Sequence, residues 1–130
     1  MSKLIYPVQH YKNLFIVNAA IGSLTTQPKV IRLLVDTGAS YTLISRKILI
    51  SAGYDLENVP KKLTIIAASG NLQAPIIQLN WFNCLGSHIT DLPTLAWDLP
   101  PGINTSGLLG MDFLTRLGAV IDISNGAITV

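Results

Sequence analysis

The sequence predicts an all-β, barrel-like domain carrying one or two short helices. Two observations carry that expectation. Short runs rich in Ile, Leu and Val recur along the chain, with Gly, Pro, Asn and Ser clusters between them. Only two stretches have the caps and composition of a helix, and both are short. A chain of 130 residues fits one domain, spanning 1–130.

The elements follow in order. Residues 14–21 form an apolar strand that ends at Gly22-Ser23, and 22–28 turn the chain back. Residues 30–35 (Val-Ile-Arg-Leu-Leu-Val) read as a buried strand. Residues 42–44 are extended again, Ser45 supplies an N-cap hydroxyl for a helix over 46–52, and Gly53 stops it. After a loop over 55–60, 62–67 and 74–81 are two apolar strands joined by residues 68–73. The chain then turns around Gly86, and 89–97 is a further strand broken by Pro93. A rigid loop, Asp98-Leu99-Pro100-Pro101-Gly102, leads to a strand at Gly107. Residues 111–117 form the second helix, with Asp112 in its first turn favoured by the helix dipole and Gly118 at its end. Residues 119–123 and 128–130 make a final hairpin around Ser124-Asn125-Gly126. The first dozen residues carry no signature.

Composition narrows the function. The chain is 49% hydrophobic and 12% charged, with mean hydropathy +0.46. So small and apolar a monomer has little polar surface to cover itself, which favours association with another chain. Net charge is +2 and the Lys and Arg residues are scattered, so neither nucleic acid nor an anionic membrane is an expected partner. No apolar run reaches membrane-spanning length and no signal peptide is evident. Cys84 is the only cysteine, which excludes an internal disulfide and suits a reducing, cytoplasmic compartment. His10 and His88 have no Cys or acid at ligand spacing, so no metal is expected and no cofactor is implied. Neither His supports Ser40 as a nucleophile, and Cys84 reads as a strand residue rather than a reactive thiol.

The most informative segment is Asp36-Thr37-Gly38-Ala39-Ser40. A carboxylate stands where an apolar strand breaks into a turn, a costly place for a charge without partners. Thr37 and Ser40 offer hydroxyls and Gly38 an unobstructed N–H. Further along, Gly107-Leu108-Leu109-Gly110-Met111-Asp112-Phe113-Leu114 is a second apolar strand breaking at Gly into a short helix. Together the two segments resemble the retropepsin-like aspartic proteases: the Asp-Thr-Gly-Ala loop and the apolar-apolar-Gly element that crosses behind it.

That resemblance implies a closed β-barrel-type domain acting as a homodimer, because this chain supplies one such Asp and the chemistry uses two. It implies an aspartic endopeptidase acting on peptide or protein substrates, with Asp36 as acid and base. Thr37 would lock the two loops together, Gly38 would offer its N–H to the carboxylate and its C=O to substrate, and Ala39 would keep the floor small. The tip Ser69-Gly70-Asn71 matches the family's flap, the hairpin that covers substrate. Ile65, Ile66, Ile76 and Leu108 are candidate subsite walls, with plain core packing as the alternative for each. Retroviral members follow the Ala with an Asp that pairs with an Arg in the late helix. Here those places hold Ser40 and Met111, so that ion pair is missing. The final strand, 128–130, is available to pair with a second copy. The alternative reading is a non-catalytic peptide-binding or dimerisation module that retains the fold.

Overall fold

The computed structural model describes residues 3–67 and 70–130. Among them lie β1 (Ile5–Pro7), β2 (Gln9–Tyr11), β3 (Leu14–Gly22), β4 (Lys29–Val35), β5 (Leu43–Ile44), α1 (Arg46–Ser51), β6 (Lys62–Ala67), β7 (Gly70–Cys84), β8 (Ser87–Ala96), β9 (Gly107–Leu109), α2 (Met111–Leu117), β10 (Val120–Asp122) and β11 (Ala127–Thr129). The all-β expectation with two short helices holds, and α2 keeps its expected bounds.

Six strands close a barrel. β3 pairs with β4, β4 with β9, β9 with β5, β5 with β8 and β8 with β7, and β7 returns to β3. At that last seam Gly22 faces Trp81. A Cβ on Gly22 would lie 2.5 Å from the indole, so a side chain there would push the ring off the strand. β2 extends β3 and β6 extends β7 outside the ring. Closure protects most strand edges from outside pairing.

The alternation of apolar residues explains the interior. Ile21, Leu33, Leu79, Phe82 and Leu109 are fully buried, each worth about 1.5–3 kcal/mol of transfer free energy. α2 covers one end of the barrel with Phe113, whose ring meets Phe82 edge-on at 5.0 Å. A smaller cluster, Leu43, Ala74 and Leu95, lies at the base of the β6–β7 hairpin, with Leu63, Ile65, Ile76, Trp97 and Leu108 packed on it.

Four differences from the sequence reading have physical causes. Pro93 does not break its strand: β8 runs through it from Ser87 to Ala96. Leu95 N–H points to β5 and donates to Thr42 C=O at 3.0 Å. Two residues back, the missing N–H of Pro93 faces that same side and is absent from the β7 ladder. β7 continues to Cys84, because the turn to β8 is only Leu85-Gly86, both at positive φ (48° and 73°). Leu85 holds that conformation while its side chain is buried in the core. The unsigned N-terminus forms β1 on β11 and β2 on β3. Finally, β11 lies between β1 and β10 of its own chain, so the last strand offers no free edge within this sheet.

α1 starts at Ser45, whose Oγ accepts the Ile48 N–H at 3.4 Å, and ends one residue earlier than expected. Asp98 holds the helix entrance from outside, accepting the Arg46 backbone N–H at 3.0 Å and its guanidinium at 2.8 and 3.1 Å. The guanidinium also lies over the Trp97 ring, 5.3 Å from its centroid.

Two predictions follow from this packing. A Cβ on Gly107 would stand 1.9 Å from the Leu43 carbonyl oxygen. Gly107→Ala should therefore lower unfolding free energy by at least about 2 kcal/mol in urea titration. The Arg46 side chain and then its backbone N–H hold the Asp98 carboxyl below the usual carboxylate range. A depressed pKa gives stability that is present above the unfolded value and lost as pH falls through the folded one. Asp98→Asn should cost under about 1 kcal/mol at neutral pH, since the pair is half exposed, and should flatten the melting-temperature loss below about pH 4.

Candidate active site

Asp36 is the first residue after β4. Val35 pairs in parallel with Leu109, and the Asp36 N–H continues that ladder to the Leu109 carbonyl at 3.0 Å. The chain then turns at once: Ala39 N–H donates to the Asp36 carbonyl at 3.2 Å, closing a β-turn. Inside the turn the Gly38 N–H donates to Asp36 Oδ1 at 2.9 Å. A Cβ on Gly38 would press on that same oxygen at 3.2 Å, so glycine leaves the contact unstrained. Asp36 is half-buried, Thr37 and Gly38 are exposed, and Ala39 is half-buried. One carboxylate oxygen is thus fixed from within the turn, at a surface open to another molecule.

Apolar residues rim this surface. Thr37 borders one recess with Leu14, Phe15, Ile121 and Ile123, and a second with Met111, Leu114 and Ala119. Leu14, Met111 and Ile123 are 37%, 39% and 77% exposed, high for side chains of their size.

The turn is held from behind by the start of α2. Met111 N–H donates to the Ala39 carbonyl at 2.7 Å, and Asp112 N–H to the Ser40 carbonyl at 3.3 Å. Thr42, fully buried, donates its backbone N–H to both Asp112 carboxylate oxygens at 3.0 and 3.1 Å and its hydroxyl to Oδ1 at 2.9 Å. The Gly110 N–H in turn donates to Thr42 Oγ1 at 3.2 Å. Sequence reasoning placed Asp112 as a helix-start acid and passed over Thr42. The available signal was an acid in the first turn of a helix whose N-cap, Gly110, has no side chain to cap it.

The remaining expected residues are on the β6–β7 hairpin. Gly70 opens β7 opposite Ala67 at φ +122°, with nothing within 4 Å of a would-be Cβ, and Asn71 is exposed opposite Ile66. Ser69 lies outside the described residues. Among the described residues no hydrogen bond joins Gly70 or Asn71 to the Asp36 turn. The link between hairpin and turn is apolar: Ile65 and Ile76 pack in the small cluster with Leu108, which pairs with Leu34 beside Asp36. Ile66 is not a wall of that cluster. It is 84% exposed, because alternate strand residues face opposite ways.

Burial pushes the Cys84 thiol up to about 12, its Sγ 3.6 Å from the Asn18 carbonyl. His10 packs edge-on against Phe15, and His88 stacks on Trp81. Among the described residues no three His, Cys, Asp or Glu side chains gather to hold a metal, and no helix is long and apolar enough to cross a membrane.

Comparison with known proteins gives three findings. No curated protein sequence matches the chain. Its fold is similar to the crystal structure of a retropepsin-like aspartic protease from Rickettsia conorii, with a TM-score of 0.73 and 24% identity over 98% of this chain and 89% of that one. Residues 23–116 match the model of the gag-polyprotein putative aspartyl protease family, a span that includes both the Asp36 turn and the Gly107–Asp112 segment behind it. The chain belongs to that family and has the retropepsin-like fold.

Proposed function

We propose that this protein is an aspartic endopeptidase whose reacting centre forms where two copies bring their Asp36 turns together. One observation carries the reading. Each chain presents a single Asp-Thr-Gly carboxylate on an exposed turn, rimmed by apolar side chains that water disfavours. A second copy supplies the second carboxylate and covers the rim, giving an isologous interface.

Two carboxyls held close share one proton, a pattern for which aspartic proteases are the general model. The ionised Asp36 takes a proton from water as the water oxygen attacks the scissile carbonyl carbon. The protonated Asp36 gives its proton to the carbonyl oxygen. The resulting gem-diol collapses: one of its hydroxyls returns a proton to the ionised Asp36, the C–N bond breaks, and the proton taken from water goes to the leaving nitrogen, which restores the shared proton. Gly38 N–H fixes one carboxylate oxygen, Thr37 braces the two turns against each other, and Ala39 leaves room for the peptide. The β6–β7 hairpin, with Gly70 and Asn71 at the start of β7, closes over an extended peptide. The proposed enzyme works with neither metal nor organic cofactor, in the cytoplasm, where Cys84 stays a free thiol.

Asp36→Asn separates chemistry from assembly. The amide is nearly isosteric, can still accept the Gly38 N–H, and removes the repulsion between two carboxylates. The variant should dimerise at neutral pH at least as well as the parent by sedimentation, and should lose peptide cleavage by about three orders of magnitude or more. Retained cleavage would show that Asp36 is not the acid and base. A parent that cleaves while strictly monomeric would overturn the shared centre.

A further inference from the structure

The Asp36 turn is suspended between two fixed points on one short segment. Its entrance is tied by the Asp36 N–H to the Leu109 carbonyl, and its exit by Thr42 to the Asp112 carboxylate. Between them the Ala39 and Ser40 carbonyls accept the N–H groups of Met111 and Asp112. The exit tie is the one of these made by side chains, and it is half-buried: Thr42 has no exposure and Asp112 is half-buried, and the Thr42 hydroxyl donates to Asp112 while accepting from Gly110. A buried hydroxyl and a carboxylate are costly apart and stable together.

We propose that Asp112 is the positioning residue of this centre: through Thr42, its carboxylate sets where the Asp36 turn leaves the barrel and so where the Asp36 carboxyl stands. This rests on the reading of Asp36 as the reacting group. Here the acid is on the helix and the donors are on the chain leaving the turn. The partner must accept only. Oδ1 receives the Thr42 hydroxyl, the Thr42 N–H and, at 2.8 Å, the Phe113 N–H, while Oδ2 shares the Thr42 N–H. An asparagine keeps one acceptor and turns an N–H₂ donor towards another donor or leaves it unpaired.

Reacting geometry is steep in distance: a displacement near 1 Å costs about 100-fold in rate. Asp112→Asn and Thr42→Val should therefore lower kcat by about 10- to 100-fold with KM within about 2-fold, because neither change touches the β6–β7 hairpin and both leave Gly38 and Ala39 in place to meet the peptide. Thr42→Ser, which keeps the hydroxyl, should stay within about 3-fold of the parent in kcat. In parallel, amide hydrogen exchange by NMR on the same chains should be about 10-fold faster at Ala39 and Met111 in the first two variants, and unchanged at Leu79 and Phe82 in the barrel. Unchanged exchange at Ala39 and Met111 overturns the proposal, as does an equal rise at Leu79 and Phe82, which would make Asp112 a general fold stabiliser. Unchanged kcat in an active parent overturns it too. Exchange is read without substrate. A parent that cleaves nothing would sink the protease reading alone, and the exchange comparison would still decide for or against Asp112.

Discussion

The structure depends on how closely the Gly107–Asp112 segment threads between the two ends of the Asp36 turn. β9 pairs in parallel with β4, which leads into the turn, and antiparallel with β5, which leads away from it. Such an approach leaves no room for side chains. A Cβ on Gly107 or Gly110 would meet the backbone of Leu43 or Tyr41 at 1.9 and 2.6 Å. Two glycines therefore let one short segment serve as neighbour to both, and the turn takes its position from backbone hydrogen bonds together with the tie from Thr42 to the Asp112 carboxylate.

That geometry places a charge at the edge of an apolar barrel without burying it. Gly38 satisfies one Asp36 oxygen, and the next residue, Thr37, borders recesses lined by Leu14, Met111 and Ile123. On the function proposed above, that lone carboxylate is half of an acid–base pair, and one remedy, a second copy, would both cover the apolar rim and complete the chemistry.

Much of this was legible in the sequence. The strand 30–35, the break at Asp36 and the helix 111–117 announce themselves locally, through an apolar run, a turn-forming glycine and an αL stop at Gly118. Thr42 and Asp112 did not. Their pairing spans seventy residues, and neither type signals a long-range partner. Pro93 misled because a proline is compatible with a strand where its missing N–H is not needed by the neighbouring ladder, a fact only the register supplies. β1 and β2 are three residues each, too short for a period, and they exist because β11 and β3 offered them edges. Ile66, one residue along the strand from Ile65, faces away from the small cluster and is exposed, as strand alternation requires.

The central claim, one reacting centre for every two chains, is tested most directly by titrating the active protein with a tight-binding statine-type peptide and reading residual cleavage. A shared centre on a two-fold axis predicts that activity reaches zero at one inhibitor per two chains. An endpoint of one inhibitor per chain would contradict it, because each copy would then hold a complete centre of its own.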